Sequence, residues 1–301
     1  MRDFEYEAPR SLTEAIALLS RSNGRARPLA GGTDLIDHVR TGRLTPDLIV
    51  DLKKIPELDR IEFTAEALHI GAAVPCYRIY EDEQICREFS ALAESCRIIG
   101  GIQIQNRASV GGNLCNSGPA ADSIPSLIAL NAVCVIAGLG GSREVPAEDF
   151  CTGPSTNVLQ SGEIVVELRF PLRSPKSGSH YRRFIPRNEM DIAVVGVAAD
   201  VRLDETGTKI ATARIALGAV APKPLFAAEA SAALAGRPAD ENSIAEAARS
   251  ARALARPIDD MRGTVEFRLH VTEVLVRRVL GEAIARARGT SSPVTIHPAK
   301  C

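Results

Sequence analysis

The sequence predicts an α+β protein of two or three domains, and three observations carry that expectation. The opening alternates helix-like with strand-like runs. The middle places short β-rich runs on either side of several helices, and the end sets two long β-rich runs before a group of helices. With 301 residues, 45% of them hydrophobic and 24% charged, the chain has apolar material for real cores.

In the first block (1–60), Ser11-Leu12-Thr13-Glu14 has the form of a capping box. It opens a helix to about residue 20, with Leu12, Ala15, Ile16 and Leu19 at helical spacing. A short strand near 27–30 leads to Gly31-Gly32, then to a helix ending about Arg40 and closed by Gly42, and DLIVDL (47–52) forms a strand. The second block (61–175) opens on a hairpin-like pair, RIEF and ALHIGAAV. Helices follow over about 75–82, with Pro75 in first position, and over 88–99, ended by Gly100-Gly101. A second glycine-bearing stretch comes next, then a helix over 122–130 and strands at 132–137 and 163–170, the last stopped by Pro171.

RSPKSGS (173–179) reads as a linker or exposed turn before the third block, 176–288. Strands at 191–203 and 209–220 flank a polar turn and so form an antiparallel hairpin. Helices fill about 225–236, 241–255 and 263–287, and in the last Phe267, Val271, Leu275 and Val279 form a stripe for core packing. Residues 289–301 read as a disordered tail.

Composition excludes several classes. A balance of 36 basic against 37 acidic residues gives no electrostatic case for nucleic acid or an anionic membrane, and aromatics at 4% with no tryptophan argue against a base-stacking surface. No apolar run approaches the roughly 20 residues of a membrane span. The start, MRDFEYEAPR, has no apolar signal region. Seven cysteines are widely spaced with no CxxC, which points to reduced thiols in a cytoplasmic protein rather than disulfides or a metal site. The five histidines offer no metal-binding pair, and no Ser-His-Asp or Cys-His arrangement supplies a catalytic residue.

Two stretches carry the chemistry: LAGGTDL (29–35) and ASVGGNLCNSGPAADS (108–123). A Gly-Gly turn before a helix brings the backbone close to a ligand and presents N–H groups that lack an intrahelical partner, a place where a phosphate fits without a lysine. Thr33 or Asp34 can cap the first helix, and Asp34 beside a phosphate needs its carboxylate turned toward N–H or hydroxyl groups. In the second stretch Ser109, Gly111, Gly112 and Asn113 combine backbone access with small polar side chains, and Asn116, Ser117 and Asp122 follow. Taken singly, each turn is ordinary; Asn113 reads as a left-handed turn residue and Asp122 as a helix cap. Together they can hold the two phosphates of a dinucleotide from opposite sides. Neither stretch is GxGxxG or GxxxxGK[ST].

In this order, AGGTD (30–34) and ASVGGNL…SGPAADS (108–123) resemble the FAD-binding medium subunits of molybdenum hydroxylases, the family of xanthine dehydrogenases and carbon monoxide dehydrogenase. The likeness extends over about 1–287, through FEYEAPRSLTEAIALL, TPDLIVDLKKIPEL, GEIVVELRFP and RRFIPRNEMDIAVVGVA. It implies a vanillyl-alcohol-oxidase-type FAD fold: two α+β subdomains (1–60, 61–175) clamping an extended FAD, and a C-terminal α+β domain with a small antiparallel sheet. By position it implies that Leu29, Ala30, Gly31, Gly32, Thr33, Asp34 and Leu35 wrap the pyrophosphate and part of the ribityl chain, with Ser109, Gly111, Gly112, Asn113 and Asn116 opposite. Asp122 would bind ribose or ribityl hydroxyls, Ile164 and Val165 would flank the adenine, and Ile192 would lie near the isoalloxazine. Arg183 stands where relatives often carry lysine, with different geometry.

The resemblance also implies partners. Cys115 stands alone where some relatives insert a cluster-binding loop, and the chain holds neither [2Fe–2S] motifs nor room for a molybdopterin domain. A large molybdopterin subunit and a small [2Fe–2S] subunit would supply those, in a heterotrimer passing electrons through FAD to NAD⁺ or another acceptor. A stand-alone flavoprotein on a related fold is the alternative, and a scaffold that has lost FAD is a third class.

Overall fold

A computed structural model describes residues 2–21, 24–187 and 190–292. The chain opens with a parallel sheet of β1 (Glu5–Glu7), β2 (Ala26–Leu29) and β3 (Leu48–Asp51), with β3 in the centre. Helix α1 (Leu12–Arg21) connects β1 to β2 and α2 (Leu35–Arg40) connects β2 to β3. Parallel strands need such crossovers, so the first glycine turn sits at the carboxyl end of β2. The Ser11 half of the capping box forms, its Oγ accepting from the Glu14 N–H at 3.3 Å, whereas the Glu14 carboxylate accepts from the N–H of Arg10, one residue before the cap, at 3.1 Å. Strand β1 was not expected; three exposed residues carry no periodic signal.

The second block folds as a five-stranded antiparallel sheet in the order β4-β5-β10-β6-β7. Its strands are β4 (Ile61–Phe63), β5 (Ala67–Gly71), β6 (Val133–Gly138), β7 (Gly141–Pro146) and, centrally, β10 (Ile164–Pro171). Between β5 and β6 run α3 (Cys76–Tyr80), α4 (Glu83–Glu88), α5 (Ser90–Arg97), α6 (Ile102–Gln105), α7 (Val110–Asn116) and α8 (Ser123–Ala129). A short α9 (Ala147–Phe150) and the hairpin β8 (Cys151–Gly153), β9 (Thr156–Asn157) lead into β10.

Several expectations change here. The helix expected over 88–99 is α5, starting at Ser90 after a break at Phe89, the preceding α4 was not expected, and Pro75 precedes its helix as the cap rather than standing inside it. Pro171 ends β10 from within the strand. The second glycine stretch is mostly helical, since Gly111, Gly112 and Asn113 belong to α7, so Asn113 is not a left-handed turn residue; Ser117, with φ of 50°, takes that role at the helix end.

The third block is a four-stranded antiparallel sheet, β11 (Ser177–Phe184), β12 (Val195–Leu203), β13 (Ile210–Gly218) and β14 (Leu225–Phe226), backed by α10 (Ala228–Ala232), α11 (Glu241–Leu254) and α12 (Val265–Ala287). The expected hairpin is β12–β13, with Val195 rather than Asp191 as its first strand residue. Strand β11 takes up part of the expected linker, and β14 replaces the start of the expected helix at 225. In α12, Val271, Leu275 and Val279 are buried as expected, whereas Phe267 is partly exposed and meets the Phe184 ring edge-on at 5.6 Å. Most of the expected tail lies outside the described residues.

The first two sheets share one hydrophobic core, whereas the third has its own, built from β12, β13, α11 and α12. Helix α8 joins them: a Cβ on Gly218 would stand 2.9 Å from Pro125, and Arg214 donates to the Ile128 carbonyl at 3.0 Å. The six described cysteines are free thiols, and no helix among the described residues is long and apolar enough to cross a membrane.

Phe89 anchors the shared core at the α4–α5 break. It is fully buried, with ring centroids 6.4 Å from Phe63 and 5.8 Å from Phe170. Phe89→Ala is expected to destabilise this core by about 3–5 kcal/mol, read as the shift in its urea-unfolding transition.

Candidate functional site: a cavity between two glycine turns

A cavity of about 700 Å³ lies between the first turn, the start of α7, the start of β10 and the end of β11, a volume in the range of cofactor pockets. Every residue expected to bind the cofactor lines it except Leu29. The buried side chain of Leu29 instead lies under the turn, where its Cδ1 would stand 2.8 Å from a Cβ on Gly32.

The four motif glycines do different jobs. A Cβ on Gly31 would stand 2.0 Å from the Arg107 carbonyl oxygen, and one on Gly111 would stand 2.4 Å from that of Ala72. Both are glycine because main chain packs on main chain there. Gly32 has a φ of +78°, which side-chain-bearing residues rarely adopt. Gly112 meets only Ser109 Oγ, at 3.0 Å, so its bare backbone serves access to the cavity.

Around the first turn, the N–H groups of Gly31, Gly32, Thr33 and Asp34 donate to no protein acceptor among the described residues. Neither Thr33 nor Asp34 makes the expected side-chain cap bond. The Asp34 carboxyl borders the cavity and is raised above its ordinary range, by desolvation first, with His38 opposing. At the second stretch Ser109 is the cap of α7: its Oγ accepts from the Gly112 N–H at 3.0 Å, and its carbonyl accepts from the Asn113 N–H at 2.9 Å. Two amides expected to face a ligand are thus used within the helix, and Ser109 keeps its O–H as a donor. Asn113 Oδ1 accepts from Ser123 Oγ at 2.6 Å, which leaves the amide NH₂ to offer.

Asp122 is 7% exposed and makes no cap bond. Its oxygens accept from the Tyr181 hydroxyl at 2.8 Å and from Arg183 at 2.5 Å, both from β11. Burial pushes the carboxyl up to about 6, against the pull of Arg183 and Tyr181. Each oxygen retains a lone pair for a hydroxyl. Ile164 and Val165 begin β10 as buried apolar wall, and Ile192, half-exposed, follows Asp191, whose carboxylate accepts from Arg187 at 3.1 Å.

Sequence reasoning missed Tyr181, Gly100, Leu52, Cys115 and Asp191. Tyr181 was within reach of it, because it shares a strand face with Arg183 two residues on. Cys115 lines the cavity with its thiol pushed up to about 12 by burial, so it stays neutral. Leu52 and Gly100 come from segments that only the fold brings here.

Unpaired amides, small polar side chains and an apolar end wall can hold an extended, anionic, hydroxyl-rich ligand with a flat apolar part. Comparison with known proteins agrees with that class. Residues 2–173 match the FAD binding domain in molybdopterin dehydrogenase, and 180–283 match the CO dehydrogenase flavoprotein C-terminal domain. The carbon monoxide dehydrogenase medium chain of Hydrogenophaga pseudoflava is 31% identical over 283 residues, 94% of this chain and 98% of that one. The xanthine dehydrogenase FAD-binding subunit of Escherichia coli O157:H7 is 33% identical over 293 residues, 96% and 99% of the two. Among solved structures, reconstituted CO dehydrogenase from Oligotropha carboxidovorans superposes with a TM-score of 0.90 at 31% identity, covering 95% of this chain and 99% of its counterpart. Quinoline 2-oxidoreductase from Pseudomonas putida 86 gives 0.87 at 30%, covering 96% and 98%. The chain belongs to the family of FAD-binding medium subunits of molybdenum hydroxylases, an oxidoreductase family.

Two outcomes follow from this geometry. Gly31→Ala is expected to destabilise the fold itself by at least about 1–3 kcal/mol, whereas Gly112→Ala keeps the melting temperature within about 2 °C and narrows the cavity, as paired thermal melts would register. Because the folded Asp122 value lies above the ordinary 3.8, the native state holds an extra proton between the two. The stability of wild type over Asp122→Asn should therefore fall as pH rises through about 6, by no more than about 3 kcal/mol; a pH-independent difference in denaturant titrations would contradict this.

Proposed function

We propose that this chain is the electron-transfer subunit of a cytoplasmic molybdenum hydroxylase heterotrimer. A large subunit would carry molybdopterin and a small one [2Fe–2S] clusters, with electrons passing through FAD held here to NAD⁺ or another acceptor. The observation that carries this reading is the meeting of two sequence-distant glycine motifs at one cavity, with donors that the protein leaves unsatisfied.

FAD suits the residues present. The amides of residues 31–34 and the Asn113 amide would take the diphosphate, with Ala30, Leu35, Ser109 and Asn116 beside it. Asp122 would accept from ribose or ribityl hydroxyls. Ile164 and Val165 would cover the adenine, and Ile192 would cover the isoalloxazine, near the Arg183 guanidinium. The lobes 1–60 and 61–175 would close on the cofactor, with 176–288 as the third wall. FAD supplies electron-transfer chemistry when bound, and the chain supplies orientation, charge and exclusion of water. No side chain has to act as a general acid or base.

The complex is expected to purify yellow, with one FAD per copy of this chain, and to lose acceptor reduction when the flavin is stripped and regain it on reconstitution. Acceptor reduction at the original rate by complex shown to be flavin-free would overturn the reading.

A further inference from the structure

We propose that Lys53 is a positioning residue for the first glycine turn, holding the Ala30–Gly31 peptide so that its N–H faces the cavity and the diphosphate of a bound dinucleotide. This inference rests on the flavin reading above.

Lys53 follows β3 by two residues, and its Nζ donates to the Ala30 carbonyl at 3.2 Å and to Asp51 Oδ1 at 2.7 Å. Asp51, 5% exposed, also accepts from the Lys53 N–H at 3.0 Å and, through Oδ2, from the Tyr6 hydroxyl at 2.5 Å. All three strands of the first sheet therefore meet behind the turn: Tyr6 from β1, Ala30 one residue past β2, and Asp51 at the end of β3.

The consequence lies in peptide geometry. In a trans peptide the C=O and N–H of one unit point in opposite directions, and no peptide bond in the described chain is cis. A cation that draws the Ala30 oxygen to one side aims the Gly31 hydrogen to the other. Gly31 lines the cavity, and its N–H donates to no protein acceptor among the described residues. A unit followed by two glycines, the second at φ +78°, has the conformational freedom to rotate away. The Lys53 bond removes that freedom before the ligand arrives, and the ammonium charge polarises the peptide so that its N–H is a stronger donor. Asp51 and Tyr6 fix the ammonium itself. The lysine thus acts on the phosphate site from behind the backbone, which explains how the turn can be ordered with no lysine among the described residues that line the cavity.

The test uses the protein purified with its accompanying subunits, stripped of flavin and titrated with FAD, alongside ³¹P spectra of the bound diphosphate and melts of the flavin-free protein. Lys53→Met should weaken FAD binding at least tenfold and shift a diphosphate resonance, a larger effect than the drop in flavin-free stability that loss of the Asp51 ion pair brings. Lys53→Arg should restore affinity to within about threefold. Wild-type affinity and unshifted resonances in Lys53→Met would overturn the proposal, as would a loss of affinity matched by an equal loss in flavin-free stability. If Lys53→Met does not fold, Tyr6→Phe decides, since it removes one hydroxyl from a half-exposed ring. A two- to fivefold loss of affinity then supports the proposal and an unchanged affinity overturns it. A wild-type protein that binds no FAD would instead sink the flavin reading.

Discussion

The contact on which the site depends is between main chain and main chain. At Gly31 the first turn lies so close to the carbonyl of Arg107 that a single methyl group would stand 2.0 Å from its oxygen. That contact ties the parallel sheet of the first block to the segment that leads into α7, and it makes two turns far apart in the chain into walls of one cavity. Gly111 repeats the device against Ala72, at the end of β5. Close approach of backbones is something only glycine permits, so these two residues hold the geometry, while Gly32 is required by its left-handed backbone conformation.

The third sheet completes what the first two begin. Asp122 is too deeply buried to remain ionised without partners, and both of its partners come from β11. The same strand is fastened lower down, where the Tyr181 N–H and Arg286 both donate to Glu94 of α5, at 2.8 and 2.7 Å. These bonds link α5 and the start of α8 to β11 across two separate hydrophobic cores, and the cavity wall is formed at that joint.

Much of this was legible in the residues. Four of the five strands of the second sheet (all but β7), the β12–β13 hairpin and the long C-terminal helices follow from apolar patterning, and the two glycine motifs mark the cavity from the sequence alone. What could not be read has physical causes. Strands β1 and β14 are too short to show a period and exist because a neighbouring strand pairs with them. The break at Phe89 is set by an aromatic cluster drawn from three different elements. Asp122 gives up the capping bond that its position advertises, because its nearest hydrogen-bond partners in space, Tyr181 and Arg183, are not the nearest in sequence.

The sequence by itself determined the local pieces and the chemistry they could offer: where backbone would be bare, which helices would be amphipathic, and which family pattern the motifs follow. Tertiary structure alone decided which glycines bear contact and which give access, that Asp122 answers to Tyr181 and Arg183, and that Lys53 stands behind the first turn. The reason is one of range. Helical and strand periods are written in neighbours a few residues apart, whereas a buried charge or a backbone contact is settled by whichever group the folded chain brings within about 3 Å.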